Sequence, residues 1–253
     1  MTPRKTVKAT GSAADFIPPR ATLATLRAAA DGCRGCDLYK HATQTVFSEG
    51  PSRARIMIVG EQPGDVEDKT GRPFVGPSGK LFDRALEAAG IDREDLYLTN
   101  AVKHFKWARD TRTVRRLHKT PTTGEVRACF PWLEHEIAIV RPAVILCLGA
   151  IAAKALLGSA FSVMKQRGAA VDSPWAEAVF ATVHPSAVLR APRGERNKAE
   201  RMFTDDLRKV ARYLARASSQ KKRSRKEPRK FSGWQTTPGR SRTSNASTRS
   251  SRA

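Results

Sequence analysis

Residues 54–65 read ARIMIVGEQPGD, a mainly apolar run that passes at once into a turn with two glycines and three polar side chains. The run is continuous rather than alternating, which is typical of a strand buried on both faces of a parallel sheet. Three later runs have the same character, at residues 96–98, 143–148 and 178–183. Together with residues 54–59, they predict four strands at the centre of the fold.

Patterns of helical periodicity separate these runs and follow the last of them. They cover residues 80–89, 132–140, 151–157 and a longer stretch from about 195 to 217. Strands that alternate with helices form βαβ units with right-handed crossovers. We therefore predict one three-layer α/β domain over residues 21–217, in which helices flank a central, mostly parallel four-stranded sheet.

The charge of the chain is strongly positive and unevenly distributed. There are 46 Lys and Arg residues against 24 Asp and Glu residues, a formal net charge of +22. Residues 216–253 alone carry +11, from twelve basic residues and Glu227. We predict disordered basic segments at residues 1–20 and 218–253, the second of which contacts the phosphates of a nucleic acid. A merely solubilising tail is the alternative.

Composition and patterning limit the class of protein. With 40% hydrophobic residues the chain can bury a full core, which excludes a wholly disordered or fibrous protein. The sequence has no apolar run of about 18 residues, and residues 1–10 lack the apolar stretch of a secretory signal. We expect a cytoplasmic monomer that does not contact a membrane.

The four cysteines are spaced as Cys33-x2-Cys36, then Cys129 and Cys147. Disulfides are rare in a reducing compartment, which favours a metal site or a cluster. Four thiolates can hold an iron–sulfur cluster or a tetrahedral zinc ion, and the spacing does not choose between them. Two separate buried thiols are a further alternative for Cys129 and Cys147.

Polar side chains follow three of the predicted strands at their carboxyl ends. The first strand leads into Glu61, Gln62 and Asp65, the second into Asn100, and the last into His184-Pro185-Ser186. Ligands bind at this edge of open α/β sheets, so we expect these side chains to converge on one crevice. For each motif taken alone, an ordinary turn with solvated polar residues is the alternative.

A basic stretch, residues 103–119, follows the second predicted strand. It carries seven Lys and Arg residues against Asp110, with Phe105 and Trp107 interleaved. Cations mixed with aromatic rings suit the backbone and the exposed bases of a nucleic acid. A solvated loop is the alternative, but a net charge of +6 in 17 residues exceeds what solubility requires.

Three segments resemble the motifs of the uracil-DNA glycosylase superfamily, at residues 60–83, 98–107 and 183–190. The cysteine layout resembles that of its family-4 iron–sulfur branch. Gln62 stands where most family-4 members have Ala. The loop VRRLH at residues 114–118 is similar to the KRRIH insertion of UdgX-type proteins, with which it shares two arginines and the histidine.

This resemblance implies a substrate, uracil-containing DNA (single-stranded or duplex), and a [4Fe-4S] cluster held by Cys33, Cys36, Cys129 and Cys147. It implies a uracil pocket made by Gln62, Asp65, Phe74, Asn100 and His184. Phe74 would stack on the base, and Asn100 would accept from uracil N3–H and donate to O4. His184 and the backbone amides of the 62–65 turn would stabilise charge on the departing uracil.

The resemblance also assigns the chemistry of the sugar. His118 would capture C1′ and leave the protein joined to DNA, while Glu61 would stabilise the cation and orient or deprotonate His118. Phosphate contacts are expected from Lys80, Arg115, Arg116, Lys119, Ser186 and Arg190. Two alternatives stay open, a family-4 glycosylase that releases uracil with turnover and a noncatalytic nucleic-acid-binding module.

Overall fold

Eight strands form two sheets in the computed structural model, which describes residues 11–226. The strands are β1 (Ser48–Glu49), β2 (Ile56–Gly60), β3 (Leu96–Asn100), β4 (Trp107–Arg109), β5 (Arg116–His118), β6 (Val144–Leu148), β7 (Val171–Ser173) and β8 (Ala176–Thr182). Six of them form the central sheet, in the order β1-β3-β2-β6-β8-β7. The other two, β4 and β5, pair as a separate antiparallel hairpin.

The four middle strands of the central sheet run parallel, and each overlaps one of the predicted apolar runs. This confirms the predicted α/β fold with a mostly parallel sheet. The sheet has six strands rather than four, because β1 and β7 add antiparallel edges. These edge strands are only two and three residues long, too short to produce a recognisable hydrophobic pattern.

Helices connect the strands and cover both faces of the sheet. Within residues 11–226 they are α1 (Leu23–Asp31), α2 (Asp65–Thr70), α3 (Pro77–Ala89), α4 (Thr123–Val140), α5 (Ala150–Leu157), α6 (Val163–Gln166), α7 (Pro185–Leu189) and α8 (Arg196–Lys226). On one face α3, α7 and α8 bury Ile58, Leu98 and Leu146; on the other α4 and α5 bury Met57 and Ile145. None of these helices has both the length and the apolar character that crossing a membrane requires.

Two helices extend nine residues beyond the bounds that their sequence patterns predict. α4 begins at Thr123 rather than near residue 132, with a capping box between Thr122 and Glu125 and with Pro131 inside the helix. A proline normally marks a helix boundary, so the pattern alone predicts too late a start. α8 extends past residue 217 to Lys226, in a stretch rich in Lys, Arg and Gln, which are good helix formers.

Part of the predicted disordered N-terminal segment forms defined structure. Ala13–Phe16 make one turn of 3-10 helix capped by Ser12, and Ala13 is buried beside α4. A Cβ at Gly35 would lie 2.6 Å from the Ala13 nitrogen, so this packing depends on small residues. The rest of the two predicted basic segments, residues 1–10 and 227–253, lies outside the described residues.

Candidate functional site

A cavity of about 650 Å³, which we call the strand-end cavity, opens at the carboxyl edge of the parallel strands. Nine of the predicted site residues line it: Glu61, Gln62, Asp65, Phe74, Asn100, His118, His184, Ser186 and Arg190. The other four predicted contact residues do not line it, namely Lys80, Arg115, Arg116 and Lys119. The structure therefore brings together the residues expected to bind a base and to act on its sugar.

The floor of the strand-end cavity lies where Gly60, Phe74 and Asn100 meet. Gly60 ends β2 in register with Asn100 at the end of β3. A Cβ at residue 60 would overlap Asn100 Oδ1 and would lie 2.8 Å from Phe74 Cζ. Phe74 has a φ of 56°, a strained left-handed backbone that is kept only where the surrounding structure fixes it. Because Gly60 has no side chain, a slot is left between the Phe74 ring and the Asn100 amide.

Glu61 places a buried carboxylate beside this slot. Its side chain is 18% exposed, and Oε1 is buried without a hydrogen-bond partner among the described residues. Burial raises the pKa of Glu61, and the charge of Arg190 partly offsets this effect. Buried polar atoms are nearly always satisfied, so an orphaned carboxylate oxygen marks a position that awaits a partner.

His118 supplies the nearest candidate for that partner. It lies at the end of β5, half exposed, with Nε2 3.5 Å from Glu61 Oε1. This distance is too long for a good hydrogen bond but within the range of charge interaction. Burial lowers the pKa of His118, with a smaller contribution from Arg190, so the neutral imidazole is favoured at neutral pH.

His184 caps the N-terminus of α7 on another side of the cavity. Its Nδ1 accepts the Ser186 N–H at 3.2 Å and lies 2.8 Å from Ser186 Oγ. With Nδ1 as acceptor, a neutral ring carries its proton on Nε2, which is then a donor. Burial lowers the pKa of His184 to about 4, with further lowering by His118 and Arg190. A Cβ at Gly149 would lie 3.0 Å from His184 Cβ, so the glycine makes room for this ring.

Arg116 anchors the hairpin that carries His118. Its guanidinium bonds the Asp65 carboxylate and donates from Nη1 to Asp68 Oδ2 at 2.6 Å, and Asp68 is fully buried. The same group lies 5.3 Å from the centre of the Phe105 ring and 5.4 Å from that of Trp107. Arg116 was predicted to contact phosphate; in this structure its donors are engaged by protein acceptors.

Gln62 holds both strands of the hairpin at its base. Its amide nitrogen donates to the carbonyls of Lys106 and Lys119 at 3.2 and 3.1 Å, and its Oε1 accepts the Lys106 N–H at 3.1 Å. Gln62 and Asp65 were both predicted to bind uracil. Both line the cavity, and their side chains bond the hairpin that carries His118.

Glu67 is a site residue that the sequence reasoning missed. Its carboxylate accepts the Gly64 N–H at 3.1 Å and the Gly76 N–H at 2.7 Å, which ties the polar turn after β2 to the segment that carries Phe74. The signal was present in the spacing, since a Glu three residues after a helix-capping position is typical of a capping box. Because the Gly64 amide is taken and Pro63 has none, fewer amides of the 62–65 turn remain to stabilise an anion.

Some basic residues of the 103–119 stretch are paired with acidic residues, and others are exposed to solvent. Lys103 is 1% exposed and pairs with buried Glu136 at 2.5 Å, and Lys106 pairs with Glu125 at 2.8 Å. These two lysines are structural and do not present charge to a ligand. Arg115 and Lys119 are exposed, as is Lys80 on α3, so these three remain open to solvent.

The structure does not bring the four cysteines together. Cys33, Cys36 and Cys129 share one apolar cluster beneath α1, whereas Cys147 on β6 lies in the other cluster, beneath α5. All four are buried and none forms a disulfide. Among residues 11–226, no group of three or more His, Cys, Asp or Glu side chains stands close enough together to share a single metal ion; the ligands of a multi-iron cluster, each on its own iron, stand further apart.

His104 borders the three-cysteine cluster and was also missed. It is buried, and its Nε2 lies 3.0 Å from Thr45 Oγ1, which donates to the Ala30 carbonyl. Cys33 N–H donates to that same carbonyl. Because the Thr45 hydroxyl already donates its proton to this carbonyl, it must accept the hydrogen bond from His104 Nε2–H. The neutral ring of His104 then has a free electron pair on Nδ1. Burial lowers the pKa of His104 to about 4, so the ring is neutral.

Replacing Arg116 with alanine is expected to lower the free energy of unfolding by about 3–5 kcal/mol, because buried Asp68 loses its cation. Denaturant titration followed by circular dichroism measures this loss. Arg115→Ala is the matched control: the side chain is exposed and makes no hydrogen bond within the described residues, so its effect should stay within about 0.5 kcal/mol. Equal losses in both variants would contradict the anchoring role of Arg116.

Comparisons with known proteins identify the family of the chain. A family model described as the uracil DNA glycosylase superfamily matches residues 47–208. A Type-4 uracil-DNA glycosylase of Thermotoga maritima is 38% identical over 183 residues, covering 72% of this chain and 89% of the relative. One of Pyrobaculum aerophilum is 38% identical over 180 residues, covering 68% and 87%. A Type-5 uracil-DNA glycosylase of Pyrobaculum aerophilum is 31% identical over 155 residues, covering 54% and 63%. Since the matched region spans well over half of the sequence, the chain belongs to the uracil DNA glycosylase superfamily.

Proposed function

We propose that the protein excises uracil from DNA in repair and then becomes covalently linked to the deoxyribose through His118. The observation that carries this proposal is the 3.5 Å approach of His118 Nε2 to Glu61 Oε1, an orphaned oxygen within the described residues. A nucleophile beside a group that can take its proton is the arrangement that covalent catalysis requires. The activity named for the relatives supplies the substrate, uracil in DNA.

Uracil would occupy the slot between the Phe74 ring and the Asn100 amide. The base must leave the DNA stack to reach it, and stacking on an aromatic ring replaces part of what it loses. Asn100 accepts from uracil N3–H and donates to O4. Cytosine presents an amino group at that position, which leaves buried polar groups unpaired and so opposes its binding.

The glycosidic bond breaks with its electron pair moving to uracil N1. The Nε2–H of His184 donates a hydrogen bond to the developing anion, a contribution of about 3 kcal/mol for one such donor. Because the pKa of His184 is about 4, the ring acts as a neutral donor and keeps its proton at neutral pH. Uracil is protonated from solvent after it departs.

His118 would then capture the electrophilic C1′ of the sugar. Its ring lone pair forms the new N–C1′ bond, and the proton on the other ring nitrogen passes to Glu61. Burial raises the pKa of Glu61, which makes this carboxylate a better proton acceptor than an exposed one. The cation at C1′ and the carboxylate charge are both neutralised in this step.

Exposed cations around the cavity would hold the DNA backbone. Lys80, Arg115 and Lys119 are exposed in the described structure, and Ser186 and Arg190 line the cavity itself. Phosphate contacts by such groups position a strand without reading its sequence. Arg116 is not included, since its guanidinium serves the hairpin.

Denaturing electrophoresis after mixing the protein with a uracil-containing oligonucleotide tests the proposed function. A shifted band that survives heat and detergent is the expected result. Free uracil released over many turnovers without such a band would support the turnover glycosylase instead. Binding without any uracil release would support a noncatalytic module.

Asn100→Asp is expected to lose discrimination for uracil, because a carboxylate cannot donate to O4. The loss should amount to about 10²-fold or more in uracil excision, measured with matched oligonucleotides carrying uracil or cytosine. Thermal unfolding of the variant serves as a control for folding. Undiminished excision of uracil by Asn100→Asp would remove Asn100 from the recognition role.

We further propose that Cys33, Cys36 and Cys129 hold an iron–sulfur cluster, with His104 Nδ1 as fourth ligand in place of Cys147. Cys129 Sγ already accepts the Lys103 N–H at 3.3 Å, and hydrogen bonds of this kind stabilise cluster thiolates. His104 Nε2 bonds Thr45, as a metal-bound histidine usually bonds a neighbour through its other nitrogen. The cluster would tie α1 to α4, a structural role.

Iron and acid-labile sulfide analysis of single variants tests this ligand set. Cys129→Ala and His104→Ala are expected to lose iron and the visible absorption band, while Cys147→Ala keeps both. Far-UV circular dichroism controls for unfolding. Loss of iron from a folded Cys147→Ala protein, or stoichiometric zinc in a colourless wild-type protein, would contradict the proposal.

A further inference from the structure

A second cavity, of about 530 Å³, lies between α4 and α5 and contains none of the residues discussed so far as the active site. Its walls are apolar, with Val126 and Phe130 from α4 and Ile151 from α5. We call it the α4–α5 groove. Phe130 is partly exposed in the groove. Its ring packs edge-on against that of Trp175, with ring centres 5.5 Å apart and an interplanar angle of 73°.

Two free cations border the α4–α5 groove. Arg127 and Lys154 both line it and are exposed, and neither side chain has a hydrogen bond or ion pair with another residue in the 11–226 range. The acid nearest to Arg127 along the chain, Glu125, is already bound by Lys106 Nζ and the Thr122 N–H. An apolar trough bordered by uncompensated positive charge suits an occupant that is both flat and anionic.

The α4–α5 groove and the strand-end cavity are lined by neighbouring residues of the chain. Thr120 lines the cavity, and its chain neighbour Pro121 lines the groove. α5 begins at Ala150, directly after β6, so Ile151 places one end of the groove at the carboxyl edge of the sheet, where the strand-end cavity opens.

We infer that the α4–α5 groove binds an unpaired nucleotide adjacent to the uracil on the same DNA strand. The base would lie on Phe130 and its apolar neighbours, and Arg127 and Lys154 would bind the flanking phosphates. Aromatic platforms beside cations are the usual means of binding single strands without sequence preference. This inference rests on the proposed function, since the strand is placed by the uracil in the strand-end cavity.

Other occupants fit the observations less well. The basic tail of the chain, residues 216–253, has a net charge of +11, the same sign as Arg127 and Lys154. A second copy of this chain would also bring a highly positive surface. An acidic peptide matches the charge, but it gives no reason for the groove to lie beside the strand-end cavity.

The test compares the full chain with an Arg127→Glu/Lys154→Glu double variant on single-stranded oligonucleotides. The uracil nucleotide carries a 2′-fluorine, which slows bond cleavage by opposing the cation at C1′. One oligonucleotide has bases on both sides of the uracil, and two others end at the uracil on either its 5′ or its 3′ side. Fluorescence anisotropy as a function of salt gives the affinity and the number of phosphate contacts.

The double variant is expected to bind the fully flanked oligonucleotide on the order of tenfold more weakly, with a salt slope reduced by about 1.4 for two lost contacts. It should bind one of the truncated oligonucleotides as well as the wild type does. The control is Arg212→Glu/Arg216→Glu, which makes the same charge change on α8, across the sheet. Any loss of affinity in this control should be the same for all three oligonucleotides. Uracil release at saturating substrate should stay unchanged in the groove variant.

Equal losses on all three oligonucleotides, or no loss and an unchanged salt slope, would overturn the inference. Tight binding of a probe peptide of repeated Asp ending in Phe, lost in the Arg127→Glu/Lys154→Glu variant while DNA affinity is kept, would assign the groove to a protein partner. Failure of the proposed function would look different, because the wild-type protein itself would release no uracil from an unmodified oligonucleotide.

Discussion

His118→Gly is expected to abolish the heat-stable protein–DNA adduct while uracil release continues with turnover. The reason is that different parts of the site carry out the two steps: the slot releases uracil, and the hairpin captures the sugar. Without the imidazole, space opens beside C1′, and a water molecule activated by Glu61 can complete hydrolysis. Denaturing electrophoresis measures the adduct, and a radiolabelled base assay measures uracil release over many turnovers.

Leu117→Gly is the matched control for His118→Gly. Leu117 precedes His118 on β5 and is 43% exposed. Its replacement by glycine therefore imposes the same backbone penalty without removing a ring from the cavity. This control should still form the adduct. Mass spectrometry of the digested wild-type adduct supplies the decisive outcome, since a peptide that carries the sugar on any residue other than His118 would refute the assignment.

Glu61→Gln is expected to suppress both adduct formation and hydrolysis, by about 10²–10⁴-fold. The amide keeps the shape of the carboxylate but can neither stabilise the cation at C1′ nor take a proton from His118 or from water. Single-turnover kinetics with a uracil-containing oligonucleotide measure the loss. Glu134→Gln, an exposed change on α4, should leave the rates unchanged.

The same substitution is expected to leave stability unchanged or to raise it. Oε1 of Glu61 has no hydrogen-bond partner in the described part of the chain, so replacing a buried, unsatisfied carboxylate removes a cost of folding. Loss of activity together with a retained or higher melting temperature is the pattern of a residue kept for function. A Glu61→Gln protein that unfolds more readily and reacts normally would show that the carboxylate is structural.

Much of the fold follows from the sequence because its strands are buried on both faces. Continuous apolar runs identify the four parallel strands, and the carboxyl ends of parallel strands share one edge, so the convergence of Glu61, Asn100 and His184 could be predicted. The short edge strands β1 and β7 could not, because they are held by pairing with longer neighbours rather than by a hydrophobic pattern.

The parts of the site that escaped prediction depend on contacts distant in sequence. Gln62 and Asp65 bond a hairpin that begins more than 40 residues later, and no local pattern shows which groups the hairpin will meet. Spacing also cannot show that Cys147 and Cys129 face different apolar clusters, since this depends on the packing of α4. Long-range geometry, not residue type, decides these roles.

The hairpin that carries His118 is fixed at its base by Gln62 and along its length by Arg116. Under the proposed function, the His118 ring, which the hairpin holds in place, competes with freely diffusing water for the short-lived cation at C1′. Well-oriented intramolecular groups reach effective molarities of about 10⁵–10⁸ M, far above the concentration of liquid water. Rigidity alone is therefore sufficient to favour capture over hydrolysis, and any change that loosens the hairpin should shift the product ratio toward free abasic DNA without altering the chemistry of either nucleophile.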